Sequence, residues 1–239
     1  MGFYQRLAEY YDEIFPFKGA QKTFLQTYFD QESMTSILDV GCGTGTLALE
    51  FAQKERAVHG IDLSPEMIEI ARRKARELEN SATFSIGDMR DLRSIGQNFD
   101  GIVCLGNTLA HVSEENELKQ VLAQFRRKAA YALVQTVNYD RILAKHVTEL
   151  PLIQTPNLTF QRSYSFRSDG RIDFTMKLTF PDAREQVSGV NCLYPVSCSS
   201  LIKAFEEEDW EIAGVWGNYE RQPWTNDSPA TILAARLAK

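Results

Sequence analysis

Apolar positions along this chain recur with two different periods, and the switch between them divides it. Leu7, Tyr11, Ile14 and Phe15 fall at helical spacing, Ala20, Phe24, Leu25 and Tyr28 repeat the signal, and Pro16 separates the two helices. From residue 37 onward short apolar runs take turns with helical stripes. Runs at 37–40, 57–62, 83–86, 99–105 and 131–137 read as strands. Met67, Ile68, Ala71, Ala75 and Leu78 form one stripe, opened by Ser64 as N-cap and Pro65 in the first turn. Leu118, Val121, Leu122 and Phe125 form another. Ser113 caps it, Glu114 and Glu115 suit its positive N-terminus, and Arg126, Arg127 and Lys128 suit its negative end. Apolar strands alternating with helices predict a mostly parallel sheet covered on both faces.

The period then becomes two. The stretch from 138 to 198 is too long for a plain connection. Within it Leu158, Phe160, Arg162, Tyr164 and Phe166 share one strand face, with Thr159, Gln161, Ser163 and Ser165 on the other. Ser168-Asp169-Gly170 turns the chain, and Ile172, Phe174, Met176, Leu178 and Phe180 form the returning face. A third run at 187–194 extends these into an inserted antiparallel sheet, a lid or a dimer surface. Arg162 interrupts an apolar face, so it is paired with an acid, snorkels at the edge, or reaches a substrate anion. A helical pattern resumes at 199–207, and Asp209 follows it at a position that suits left-handed backbone. Strands at 212–219 and 231–237 complete the pattern, with a polar loop at 221–229 between them.

Composition narrows the function. A net charge of −6 over 239 residues leaves no nucleic-acid footprint, and 44% hydrophobic residues suffice for one large α/β domain. No apolar stretch reaches the length of a membrane span, and residues 1–6 lack a signal region. Cys42, Cys104, Cys192 and Cys198 form no CxxC pair and have no histidine at zinc spacing. No metal is expected, and a reduced, cytoplasmic setting is.

The candidate chemistry starts at Ile37-Leu38-Asp39-Val40-Gly41-Cys42-Gly43-Thr44-Gly45, an apolar strand that empties into a glycine turn and then a helix. Glycines allow the sharp turn and let a ligand approach bare backbone. The last glycine of a dinucleotide fingerprint is replaced by Thr46, and Asp39 would repel a pyrophosphate but attract an ammonium group. A Rossmann oxidoreductase is therefore disfavoured. Asp62 ends the second strand about 20 residues after Gly41, where a carboxylate accepts hydrogen bonds from ribose hydroxyls. His59, inside that strand, reads as a structural histidine.

The pattern D-x-G-x-G-x-G resembles motif I of the class I S-adenosylmethionine (SAM) methyltransferases, and the resemblance covers about residues 36–140 and 197–238. In that family a G-D-x-x-x-L segment lies beside the adenine, matched here by Gly87-Asp88-Met89-Arg90-Asp91-Leu92. Ala8-Glu9-Tyr10-Tyr11-Asp12 is similar to an A-x-x-Y-D helix that covers the SAM site in many small-molecule methyltransferases. The run Leu105-Gly106-Asn107-Thr108-Leu109-Ala110-His111 is similar to that of glycine-type and other small-molecule N-methyltransferases, and lacks the N-P-P-Y of enzymes acting on base or glutamine amides.

The resemblance implies an α/β fold: a seven-stranded, doubly wound, mostly parallel sheet (the class I methyltransferase core) with the inserted antiparallel β-sheet. It implies a single domain, 1–239, with a helical cover at 1–33, a SAM-binding core at 34–140, the insertion at 141–196 and the C-terminal part of the core at 197–239. The implied cofactor is SAM, which leaves as S-adenosylhomocysteine (SAH). Tyr11, Asp39, Gly41, Cys42, Gly43, Gly45, Asp62, Leu63, Met67, Asp88, Met89, Leu105 and Asn107 would hold it. His111, Asn107 and Tyr11 are the expected catalytic groups; His111 equally suits capping or packing, and the tyrosines of the first helix equally suit packing. Arg162, Tyr164 and Tyr194 would hold a small polar acceptor, methylated on an amine nitrogen or on a carboxylate or hydroxyl oxygen. Nucleic acid and membrane are not expected partners, and the insertion is a candidate homodimer surface. A noncatalytic SAM-binding module is the alternative to an enzyme. Every residue assigned to SAM precedes 112, so cofactor binding is expected to survive removal of residues 155–195.

Overall fold

The alternating stretches fold around one sheet in a computed structural model that describes residues 2–52, 56–181 and 185–238. The strands in chain order are β1 (Ser36–Val40), β2 (Ala57–Asp62), β3 (Thr83–Ile86), β4 (Phe99–Cys104), β5 (Ala129–Val137), β6 (Ile153–Gln154), β7 (Thr159–Phe166), β8 (Ile172–Phe180), β9 (Glu185–Leu193), β10 (Trp210–Trp216) and β11 (Ala230–Leu237). The helices are α1 (Phe3–Glu9), α2 (Tyr11–Ile14), α3 (Gly19–Gln31), α4 (Thr46–Phe51), α5 (Pro65–Glu77), α6 (Glu115–Arg126), α7 (Tyr139–Ala144) and α8 (Cys198–Glu207), with a 3-10 turn at Thr108–His111.

Seven strands lie in the order β10-β11-β5-β4-β1-β2-β3. β11 runs antiparallel to β10 and β5, and the other neighbouring pairs are parallel. The order reverses between β1 and β4, which opens a crevice at their C-terminal ends. The glycine turn and the loop 105–111 empty into that crevice. Side chains alternate across the sheet, as doubly covered strands require: Ile37 joins Phe24, Phe29, Phe51 and Ile68 on one face, while Leu38 joins Leu118, Phe125, Leu201 and Phe205 on the other.

The second sheet, β6-β7-β8-β9, is antiparallel throughout. Its parity is the one read from the sequence: Phe160, Tyr164, Met176, Leu178 and Phe180 are buried, and Gln161 and Ser165 are exposed. The inner face packs on Phe3, Leu7 and Ile14 of the first two helices and on Met67 of α5. At Gly189 a Cβ would stand 2.6 Å from the Phe3 ring, so α1 lies directly on the sheet. Farther along, Tyr164, Ile172 and Leu193 pack with Ala110, Tyr139 and Ile142.

The insertion is thus fused to the body at both ends, which corrects the expectation that it can be cut away. Removing it would uncover several large apolar side chains, each worth about 1.5–3 kcal/mol, against a stability of about 5–15 kcal/mol for a whole domain.

Three local expectations also change. Ser113 is not the cap of α6: the N-cap is Glu114 without a side-chain bond, and the Ser113 N–H is held by Glu117. The first helix breaks at Tyr10, ahead of Pro16. The stretch after β5 opens with α7, capped by Asn138, too short a helix to show a period. Asp209 takes the left-handed conformation at φ 59° and pairs with Arg126 at 2.7 Å, and His59 is satisfied by Thr83 and Ser85 at 2.8 and 2.9 Å.

Candidate functional site

Three elements meet at the turn after β1, and each meets it at a glycine. Gly41, Gly43 and Gly45 all have positive φ, between 55° and 78°. A Cβ on Gly41 would stand 2.5 Å from Thr108 Oγ1 of the β4 loop, and one on Gly43 would stand 3.0 Å from the Tyr11 ring. One on Gly45 would strike Phe84 of β3 at 2.6 Å. The turn is pinned from below. Gly41 N–H and Cys42 N–H donate to the Ile61 carbonyl at 2.8 and 2.9 Å. The Asp62 carboxylate accepts from Gly43 N–H and Ser64 N–H, both at 2.9 Å. One carboxylate therefore fixes both the glycine turn and the start of α5.

The charge balance of this turn is lopsided. Asp39 is 3% exposed, and its Oδ2 has no hydrogen-bond partner. Burial, with the nearby Asp62 charge adding to it, pushes the Asp39 carboxyl up to about 7. Burial raises the Tyr11 phenol as well, followed by Asp62 and Asp39, and the Cys42 thiol is pushed up by burial, Asp39 and Asp62. The turn thus disfavours an anion and favours a cation, which would stabilise the ionised Asp39 carboxylate. Asp12, next to Tyr11, fastens the cover in place: it accepts from Thr44 Oγ1 at 2.6 Å, Thr46 Oγ1 at 2.7 Å and Lys74 Nζ at 2.8 Å. Burial opposes its charge, but Lys74, Thr44 and Thr46 hold its carboxyl below the usual range.

Beyond β2 and β3 lies a second group of sequence-read residues. Leu63 is 58% exposed, whereas Met89 and Leu105 are buried. Asp88 is paired with Arg90 at 3.2 Å. Met67 packs into the layer between α1 and the insertion instead of joining Met89.

At the β4 loop Asn107 takes the left-handed conformation at φ 71°, one of the few residue types that does so readily. Both ends of its amide are engaged: Nδ2 donates to the buried Tyr139 hydroxyl at 2.9 Å, and Oδ1 accepts from Val137 N–H at 3.0 Å. It braces the loop against β5 and α7. His111 is exposed, and among the described residues no hydrogen bond reaches its ring. Desolvation lowers its pKa below the usual value, the Arg90 charge lowers it further, and Asp62 opposes both.

Tyr164 is buried on the inner face of the insertion, with its hydroxyl raised to about 12 by burial. Arg162 beside it donates Nη2 to the Pro151 carbonyl at 2.7 Å and lies over the Phe160 ring, while its buried Nε has no partner. Tyr194 is not brought together with them. It packs on the cluster of α6 and α8, near Glu115 and Glu114.

The comparisons decide the family. A methyltransferase-domain family matches residues 37–130. A protein of Geobacillus sp. (strain WCH70) that carries a methyltransferase name is 32% identical over 224 residues, 91% of this chain and 78% of that protein. This chain belongs to the SAM-dependent methyltransferases. A dTDP-3-amino-3,4,6-trideoxy-α-D-glucopyranose N,N-dimethyltransferase of Streptomyces venezuelae is 34% identical to this methyltransferase over 183 residues, 75% of this chain and 73% of that enzyme. A SAM-dependent methyltransferase from Clostridium acetobutylicum ATCC 824 shares the fold, with a TM-score of 0.86 over 99% of both chains at 16% identity.

The cofactor fits the residues present. SAM carries a sulfonium and an ammonium group, and the unpartnered Asp39 oxygen near bare glycine backbone suits a cation and an amino-acid tail. Sequence reasoning left Asp12, Lys74, Arg90 and Tyr139 of this methyltransferase without a role. Asp12 stood inside a recognised motif; the others act through partners far along the chain, where no local pattern marks them.

Proposed function

We propose that this methyltransferase methylates the amine nitrogen of a small polar acceptor that also carries an anionic group. In this reading Asp39, Cys42 and the backbone of Gly41, Gly43 and Gly45 hold the amino-acid tail of SAM under Tyr11. Asp62 would take the ribose hydroxyls, and Leu63, Asp88, Met89 and Leu105 would line the adenine. Asn107 acts by shaping the loop, because its amide is already engaged. SAM supplies a methyl group on a positively charged sulfur, which a nucleophile displaces in line to leave SAH.

An ammonium has no lone pair with which to attack, so the acceptor must give up a proton before or during transfer. The observation that carries the reading is the His111 ring: accessible, free of protein hydrogen bonds among the described residues, and with its neutral form favoured by desolvation and then by the Arg90 charge, against Asp62. A neutral imidazole at the end of the β4 loop accepts that proton. The aminosugar dimethyltransferase relative supports nitrogen as the accepting atom. The inserted sheet, filled on its inner face by the chain's own first helices, acts as the cover of the acceptor chamber.

Release of SAH across a panel of amino sugars, amino acids, plain carboxylates and phenols tests the acceptor class. Turnover with carboxylates or phenols, and none with amines, would overturn it. Within that assay His111→Gln should lower kcat by about 100- to 10,000-fold, the usual weight of a general base, and leave SAM affinity nearly unchanged. An unaltered kcat would remove the imidazole from the proton path.

Arg162, on the inner face with an unsatisfied buried Nε, is assigned to the anionic group of the acceptor. Lysine cannot reproduce its planar fork. Arg162→Lys should raise the acceptor KM on the order of 10-fold, the loss of one charged hydrogen bond, with SAM binding intact. A wild-type KM would return Arg162 to a purely structural role.

A further inference from the structure

Arg90 lies in the segment after β3, and its guanidinium reaches three elements. Nη1 bonds both Asp88 oxygens at 3.2 and 3.3 Å. Nε donates to Glu117 Oε1 on α6 at 2.5 Å, and Nη2 donates to the His111 carbonyl at 2.9 Å. The Arg90 backbone N–H adds a bond to Asp88 Oδ1 at 2.9 Å. Glu117 is itself fixed, since its other oxygen accepts from Ser113 N–H. Every direction of the fork is used, and only a planar cation can use them together.

We propose that Arg90 is a positioning residue for methyl transfer: one guanidinium holds the carboxylate of Asp88 and the backbone of His111, and so sets the adenine end of the cofactor and the acceptor-side imidazole in a fixed relation. The inference rests on the reading above, in which Asp88 lies at the adenine and His111 receives the proton. Positioning of this kind is where catalysis is most sensitive, since a displacement of about 1 Å at the reacting groups can cost about 100-fold in rate.

The same contact has an electrostatic side. The charged groups that face His111 are Arg90 from the segment after β3 and Asp62 from the end of β2, with Asp88 and Glu117 held on Arg90 behind it. Arg90 favours the neutral imidazole and Asp62 the charged one. Loss of the Arg90 charge therefore moves the acid limb of kcat to higher pH, while Arg90→Lys keeps the charge and loses the fork. The side chains of Arg90, Asp88 and Glu117 are 34%, 35% and 20% exposed, so water can take over the bonds that a substitution releases.

The experiment compares the full chain with Arg90→Met, Arg90→Lys and His111→Gln, measuring SAH affinity by calorimetry, kcat at saturating SAM from pH 5 to 9, and melting temperature. The expected result has three parts. Arg90→Lys lowers kcat roughly 10-fold or more with the acid limb in place. Arg90→Met lowers kcat at least as far and shifts the limb upward, and both variants weaken SAH. A residue that merely stabilised the fold would lower the melting temperature without moving the limb. A wild-type limb in Arg90→Met, when His111→Gln has lost that limb, overturns the proposal. A limb that survives in His111→Gln overturns the base reading instead; Arg90 is then judged on kcat, and wild-type kcat in Arg90→Lys overturns the proposal.

Discussion

Asp39→Asn is expected to stabilise the free protein at pH 8 and, in the same variant, to weaken its hold on SAM. The two effects have one origin, the buried carboxylate whose Oδ2 has no partner. In the unfolded chain an aspartate ionises near 3.9. In the folded chain Asp39 ionises at about 7, because of burial and then Asp62. Between those values the folded state binds more protons than the unfolded one, so stability falls as pH rises through the window and levels off above it. A shift of this size corresponds to an upper bound of about 4 kcal/mol at pH 8. Asparagine removes the charge but brings N–H donors of its own, so the gain should fall short of that bound. The difference in melting temperature between variant and wild type should narrow as pH falls through the window and close only below about pH 4, where Asp39 is protonated in the unfolded chain as well. SAM affinity should drop roughly 10- to 150-fold, the loss of a hydrogen bond to a charged group. A variant that melts lower at pH 8 and binds SAM normally would make Asp39 an ordinary structural acid.

Asp62→Ala should weaken SAH by at least as much. The ribose contacts alone are worth about 1.5–3 kcal/mol, a factor of roughly 10–150. The structure adds a second loss, since the same carboxylate holds Gly43 N–H and Ser64 N–H at 2.9 Å. Asp62→Asn keeps one acceptor oxygen and should fall between the two. Calorimetry with SAH reads both variants, and unchanged affinity in Asp62→Ala would take the residue out of the site.

Most of the architecture was legible because its signals are local. Doubly covered parallel strands are apolar runs, so β1, β2, β4 and β5 stood out, and the period of two across 158–180 set the faces of β7 and β8 correctly. The left-handed turn at Asp209 followed from its residue type and place. What escaped the reading depends on partners distant in sequence. Ser113 has the right residue type for a cap, but Glu117 already holds its N–H. Asn107 looks like a free polar group until Tyr139 and Val137 are folded against it. Arg90 meets Glu117 and His111 only because the segment after β3 crosses back over the sheet to α6 and the loop after β4. Tyr194 was read inward from its position at a strand end, yet the strand delivers it to α6. The insertion seemed detachable because strand parity says nothing about what the inner face will meet.

The first two helices touch both the glycine turn and the inserted sheet. Their Tyr11 ring rests over Gly43, and their Phe3 and Ile14 fill the inner face of the inserted sheet. Asp12 clasps them to Thr44, Thr46 and Lys74. If the cofactor and the acceptor bind as proposed, both lie under this one cover, and the release of each should then quicken together when the Asp12 clasp is weakened.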